Sequence, residues 1–149
     1  MIEVCSAEAP IAEVLALIHA EVFDAPWTAE EIVVLMTGLG AFAFIARIGE
    51  APVGFILCRT IVDEAEVLTL ATRPQARRQG VASALLATAK SAALAGGAAT
   101  LFLEVAADNP GAQALYEAHG FRQVGRRPAY YSRAEGLIPG LIMRLDLNR

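Results

Sequence analysis

The sequence predicts an α/β domain built on a mixed β-sheet, and two patterns carry that prediction. Residues 41–48 and 52–60 are apolar, β-branched and aromatic runs separated by a turn at Gly49-Glu50, which reads as an antiparallel hairpin. Further on the period changes to strand, helix, strand over residues 65–72, 80–94 and 99–105, a unit that joins two parallel neighbours by a right-handed crossover. The expected sheet is therefore antiparallel at first and parallel at its later pair.

The remaining elements follow in order. Residues 2–5 read as a short first strand. Ile11, Val14, Leu15, Ile18 and Val22 recur at helical spacing, so a helix comes next. Residues 23–27 link it to a second helix, which starts at the capping box Thr28 and Glu31 and carries Ile32, Leu35 and Met36. After the crossover unit, Asn109 is placed to cap another helix, with Pro110 in its first turn and Gly120 ending it after Tyr116 and His119. Residues 122–125 and 140–147 supply closing strands.

Length and composition bound the class of protein. With 149 residues and no internal repeat, linker or low-complexity stretch, residues 1–149 are expected to form one domain with a sizeable core. The hydrophobic fraction of 56% owes much to alanine, and the longest charge-free apolar run, 91–103, is broken by Gly96-Gly97. A membrane span is not expected. The start Met1-Ile2-Glu3-Val4 lacks the basic end and apolar core of a signal peptide, which points to the cytoplasm. A net charge of −4 argues against nucleic acid as a partner. The arginines cluster instead, as Arg73, Arg77 and Arg78 and as Arg122, Arg126, Arg127 and Arg133, which is compatible with a local anion site.

Cys5 and Cys58 sit in apolar runs without a Cys-x-x-Cys spacing and read as buried free thiols rather than a disulfide or nucleophile. With His19 and His119 they form no recognisable metal motif, so no metal is expected. His119 reads as a helix C-terminal residue and His19 as a side chain on an amphipathic helix.

Residues 64–83 carry the strongest functional signal: an apolar strand, an arginine-glycine loop and a helix start. The first amides of a helix have no intrahelical acceptors and can bind phosphate oxygens. Gly80 lets a phosphate approach the backbone, Ala82 meets the same demand for a small residue, and Arg77 and Arg78 add guanidinium donors. A pyrophosphate suits this turn, although a solvated helix start would look similar. The only lysine is Lys90, inside the helix, so a P-loop is excluded; a single glycine in the turn argues against a dinucleotide fold.

Ligands of open α/β sheets lie beyond the carboxyl ends of parallel strands. One such end carries Thr72 and the arginine-glycine loop, and its neighbour carries Glu104 after the apolar run Thr100-Leu101-Phe102-Leu103. Glu104 is a candidate general base, or else a solvated strand-end residue. Tyr116 lies two helical turns beyond Asn109, where its hydroxyl can face the same crevice and donate a proton, or where its ring can simply pack with Leu115 and Phe121.

Arg77-Arg78-Gln79-Gly80-Val81-Ala82, Leu103-Glu104-Val105, Asn109, Leu115-Tyr116 and Gly120-Phe121 together resemble the GNAT N-acetyltransferase family, nearly end to end. More narrowly, Pro26-Trp27-Thr28, residues 125–131 with the pair Tyr130-Tyr131, and Ile142-Met143-Arg144-Leu145 resemble its RimI-type branch, the ribosomal-protein N-terminal alanine acetyltransferases. The resemblance implies the GNAT fold (α/β, or α+β in some schemes): a mostly antiparallel mixed sheet with a splayed parallel central pair, flanked by helices. It implies acetyl-CoA as co-substrate, with Leu70, Ala71 and Thr72 offering backbone groups to the pantetheine arm and acetyl carbonyl. Arg77, Arg78, Gln79, Gly80, Val81, Ala82 and Ser83 would cradle the pyrophosphate, and Asn109 would hydrogen-bond the cofactor near its thiol.

Glu104 would be the base and Tyr116 the acid, while Trp27, Tyr130 and Tyr131 would shape the acceptor groove. The implied activity is direct acetyl transfer to a protein N-terminal α-amino group, by a monomer or weak homodimer. Two readings stand beside it: acetylation of a small amine, and a non-catalytic module that binds acetyl-CoA. The chain departs from the RimI-type pattern at Ile138-Pro139, where an acidic pair is usual, and at Ala106, where a basic residue is usual.

Overall fold

The computed structural model describes residues 1–147; the last two residues of the expected 1–149 domain lie outside the described residues. In chain order the elements are β1 (Ile2–Ser6), α1 (Ala12–Val22), α2 (Ala29–Met36), β2 (Ala41–Ile48), β3 (Ala51–Ile61), β4 (Glu64–Thr72), α3 (Val81–Ala95), β5 (Thr100–Ala106), α4 (Pro110–Ala118), β6 (Arg122–Arg133) and β7 (Gly136–Asp146). The strands form one sheet in the order β1-β2-β3-β4-β5-β7-β6. Every neighbouring pair is antiparallel except β4 and β5, which run parallel as the crossover pattern predicts.

That parallel pair is short. Its register covers only Glu64 with Thr100, Ala65 with Leu101 and Glu66 with Phe102, after which the two strands part toward their carboxyl ends. A β-bulge contributes: Leu57 of β3 faces Thr69 while Cys58 faces Val67, so Leu68 is an extra residue in β4. A bulge bends its strand and re-aims the side chains beyond it.

The sheet buries both faces. Phe55 and Leu57 point to one side, where they pack with Leu15, Ile18 and Ile32 of α1 and α2. Ile56 and Cys58 point to the other, toward Leu85 and Leu86 of α3, Leu101 and Leu103 of β5, and Tyr116 of α4. Each fully buried leucine or isoleucine contributes roughly 1.5–3 kcal/mol of transfer free energy. Gly54 permits α3 to start close to the sheet: a Cβ there would lie 2.7 Å from the Ala71 carbonyl oxygen and 3.0 Å from Val81 Cγ1.

Two sequence expectations change. Cys58 is buried, but Cys5 is exposed, its Sγ accepting a hydrogen bond from Arg47 at 3.4 Å, because β1 is an edge strand. The closing strands differ from residues 122–125 and 140–147: β6 runs on to Arg133, and β7 starts earlier, at Gly136, and ends at Asp146. Pro128 and Pro139 sit at an irregularity: between Arg127, facing Gly140, and Tyr131, facing Ile138, β6 carries two more residues than β7. Ala129 takes φ +52° in this bulge. An edge strand tolerates proline at such a bulge because the missing N–H interrupts no ladder. No described helix is long and apolar enough to cross a membrane.

Candidate functional site

The site is built around the divergence of β4 and β5. After β4 ends at Thr72, a short 3-10 turn, Pro74–Ala76, leads into residues 77–80, all four exposed. Arg78 has φ +66° and Gly80 φ +86°, and Gly80 caps α3 in the left-handed region. A non-glycine residue held there marks local strain of the kind that gathers at functional turns. The first backbone bond into the helix runs from Ala84 N–H to Gly80 O, 3.0 Å, so the N–H groups of Val81, Ala82 and Ser83 remain without acceptors among the described residues. Neither Arg77 nor Arg78 forms an ion pair among those residues. Arg73, their neighbour in sequence, is committed instead to Glu21 of α1 through contacts of 2.9 and 3.0 Å.

Leu70 and Thr72 are half-buried and Ala71 buried on the diverging end of β4, and Thr72 Oγ1 is buried without a partner. Across the gap, Gln113 donates to the carbonyls of Ala106 and Ala107 at 3.3 and 3.1 Å, tying α4 to the end of β5. Asn109 is exposed and caps α4, its Oδ1 accepting from Ala112 N–H at 3.1 Å. That bond leaves its amide N–H groups open to another acceptor.

Glu104 and Tyr131 line one side of a cavity of about 520 Å³, with Arg127, Tyr130, Phe102 and Glu66 among the other walls. Sheet register explains the grouping. Glu104 pairs with Ile142, and Ile142 with Gly125; two residues along the same face come Gly140 with Arg127, then Ile138 with Tyr131. The Glu104 side chain is 21% exposed. Its Oε1 lies 3.2 Å from Arg127, and its Oε2 is buried without a hydrogen bond. Arg127 also covers the Tyr130 ring at 4.5 Å, and the two tyrosine rings meet edge to face at 5.0 Å. A Cβ on Gly140 would overlap Glu104 Oε2 and press on the Tyr131 ring, so glycine is what makes room for the carboxylate.

Tyr116 is buried, its ring edge-on to Phe121 at 5.9 Å. Burial first, and the nearby Tyr131 phenol second, push its pKa up to about 12. Tyr131 is itself shifted upward by burial, then by Glu104. Tyr131 thus interacts electrostatically with both the carboxylate and the buried phenol. Such a set can accept a proton at one end and donate one at the other.

Trp27 stands apart from this cavity. It is half-buried in the loop between α1 and α2, where its backbone N–H donates to His19 Nδ1 at 3.1 Å and its ring stacks on the imidazole, centroids 4.7 Å apart. Phe23 covers the same imidazole at 4.3 Å. On β6, Arg133 holds Asp108 at 2.8 Å, and its charge also interacts with that of Asp24 in the Trp27 loop.

Sequence reasoning missed Arg127 as the partner of Glu104, the bulge at Leu68 and the anchoring role of His19. Face parity along β6 would have revealed the first, had that strand not been ended at Gly125. His119 caps α4 as expected, and Ser83, assigned to the anion cradle, has its hydroxyl oxygen 2.8 Å from His119 Nε2.

Comparison with known proteins gives consistent relatives. The acetyltransferase (GNAT) family profile matches residues 12–121. The ribosomal protein bS18-alanine N-acetyltransferase of Escherichia coli K12 is 37% identical over 94 residues, 63% of this chain and 64% of that one. The protein of the same description from Haemophilus ducreyi is 39% identical over 84 residues, 56% of this chain and 58% of that one. The aligned stretch thus spans about three fifths of these curated relatives. In structure, the E. coli ribosomal-protein-S18-alanine N-acetyltransferase superposes with a TM-score of 0.93 at 29% identity, over 100% of this chain and 96% of that one.

Burial holds the His19 pKa below its ordinary value in the folded chain, and that of His119 likewise. The unfolded chain therefore binds more protons below pH ~6.5, so folding stability is full above that pH and falls as pH drops through it, levelling once the folded imidazoles also protonate. Replacing His19 with Phe is expected to flatten this slope, whatever it does to the baseline. Denaturant unfolding at intervals between pH 8 and 5 measures it, and an unchanged slope would remove His19 as its source.

Proposed function

The chain belongs to the acetyltransferase (GNAT) family, and on that premise we propose that it transfers acetyl from acetyl-CoA directly to a protein N-terminal α-amino group, with N-terminal alanine of a ribosomal protein as the favoured acceptor. The observation that carries this reading is Glu104 on the diverging end of β5, held by Arg127 and packed with Tyr131 around Gly140, next to a helix start with open amides that follows β4. We assign the pyrophosphate to the N–H groups of residues 81–83 with Arg77, Arg78 and Gln79, and the pantetheine arm to the backbone of Leu70, Ala71 and Thr72. Asn109 takes the thiol end through its free amide N–H groups.

An α-ammonium group has a pKa of roughly 7.7–8.0, so a modest base such as a carboxylate, directly or through one water, suffices to take its proton before attack. Glu104 has this role. The freed amine attacks the thioester carbonyl, and a strand-end N–H of β4 stabilises the oxyanion of the tetrahedral intermediate. As the C–S bond breaks, the attacking nitrogen sheds its second proton to solvent and becomes the neutral amide, while the sulfur takes up a proton and leaves as the thiol. Tyr116 supplies it: a phenol pushed up to about 12 stays protonated at neutral pH and waits as a donor. Neither cysteine takes part, since Cys58 is buried with its thiol pKa pushed up and Cys5 lies on the far edge strand. Tyr130 and Tyr131 line the acceptor side, and Trp27, fixed by His19, forms part of the loop that approaches it.

Incubation with acetyl-CoA and peptides differing in their first residues, read by mass spectrometry, is expected to give fastest turnover with N-terminal alanine. Turnover confined to polyamines or other small amines would replace this acceptor assignment. The pair Glu104→Gln with Tyr116→Phe is expected to retain acetyl-CoA binding in calorimetry while kcat falls by roughly 10²–10⁴; undiminished turnover would refute both roles. Gly140→Ala, which displaces the Glu104 carboxylate without touching the cofactor assignments, should lower kcat by roughly tenfold or more with acetyl-CoA affinity retained. A wild-type kcat in that variant would mean that the carboxylate position does not matter.

A further inference from the structure

Ser83 and Lys90 lie seven residues apart on α3, two turns along one stripe, and the His119 imidazole sits between them. Ser83 Oγ is 2.8 Å from His119 Nε2. Lys90 Nζ lies 3.3 Å from His119 Nδ1 and 3.3 Å from the His119 carbonyl oxygen. An ammonium group only donates, so Nδ1 must accept and the ring proton must reside on Nε2. Nε2–H then donates to Ser83 Oγ. This is the reverse of the polarity that activates a serine nucleophile, whose hydroxyl must donate to the imidazole. The Ser83 hydroxyl proton makes no other hydrogen bond among the described residues and is carried in the first turn of α3, beside the open N–H groups of residues 81–83.

We propose that Lys90 and His119 are positioning residues for the cofactor, acting through Ser83: Lys90 fixes the imidazole tautomer, His119 holds Ser83 Oγ as an acceptor, and the Ser83 O–H is thereby turned to donate to a phosphoryl oxygen. The proposal rests on the acetyl-CoA reading and extends it. The chain of donors runs in one direction, from ammonium to imidazole to hydroxyl to phosphate, and each link polarises the next. It also ties α3, which carries the anion turn, to the end of α4, which carries Tyr116.

Calorimetry with two ligands tests it: acetyl-CoA, and S-acetylpantetheine, which lacks the pyrophosphate. Lys90→Met and Ser83→Ala are each expected to weaken acetyl-CoA binding roughly tenfold or more, the size of one hydrogen bond to a charged group. S-acetylpantetheine binding should stay within about twofold, and the double variant should bind acetyl-CoA about as Ser83→Ala does, because links of one chain are not additive. Lys90→Arg, which keeps the donor, should recover most of the affinity. Unchanged acetyl-CoA binding in Lys90→Met, equal losses for both ligands, additive losses in the double variant, or no recovery with arginine would each overturn the relay. If Lys90→Met fails to fold, Ser83→Ala and His119→Gln carry the same comparison. Failure of the wild-type protein to bind acetyl-CoA would instead overturn the cofactor reading itself.

Discussion

The parting of β4 and β5 is the constraint on which the molecule depends. Buried backbone N–H and C=O groups must find partners, and in a sheet they find them on the next strand. Here the parallel ladder stops after three residue pairs, so beyond Glu66 and Phe102 each strand presents an inner edge the other does not satisfy. The bulge at Leu68 helps to open the gap, and Gln113 holds the far wall by bonding the carbonyls of Ala106 and Ala107. A gap of this kind asks for a ligand with amide groups of its own, and the pantetheine arm we assign to it has them.

Around the gap, charge is arranged by position rather than by amount. The protein is acidic overall, at −4, yet the residues before α3 include two arginines that pair with no carboxylate among the described residues, while Arg73, Arg127 and Arg133 are each held by a partner. Arg127 is the informative case. It pairs with Glu104 and is backed by the Tyr130 ring, so the carboxylate we assign as base is already engaged by a cation. Exposed pairs of this sort contribute little to stability, about 0–1 kcal/mol. The energetic weight of Arg127 lies in where it holds Glu104.

Much of this could be read from the chain before any coordinates. The elements through α4 follow from local chemistry: the capping box at Thr28, the Asn109-Pro110 start, the glycine after His119 and the apolar periodicity of the early strands. Residues 77–83, Glu104 and Tyr116 came from spacing and from family resemblance. What stayed hidden depends on contacts between segments distant in sequence. Arg127 meets Glu104 only through the register of β5, β7 and β6, and the closing strand read from the sequence stopped at Gly125, short of Arg127. His19 looked like one more side chain of an amphipathic helix, because nothing local tells that its Nδ1 receives the backbone N–H of Trp27. The bulge at Leu68 likewise exists only as a mismatch between two strands.

The irregular stretch between Arg127 and Tyr131 has one more consequence. It lies on the outermost strand, where two surplus residues are accommodated without disturbing β7 or anything beneath it. A proline and a left-handed alanine also make this rim a poor template for a strand from another molecule. Residues on the bulge can therefore be lengthened, shortened or exchanged at small cost to folding, whereas the wall formed by β4, α3 and α4 is locked into the core. The architecture separates a replaceable lip from a fixed floor: under the assignments we propose, the rim that meets the acceptor can vary while the part that holds the donor stays.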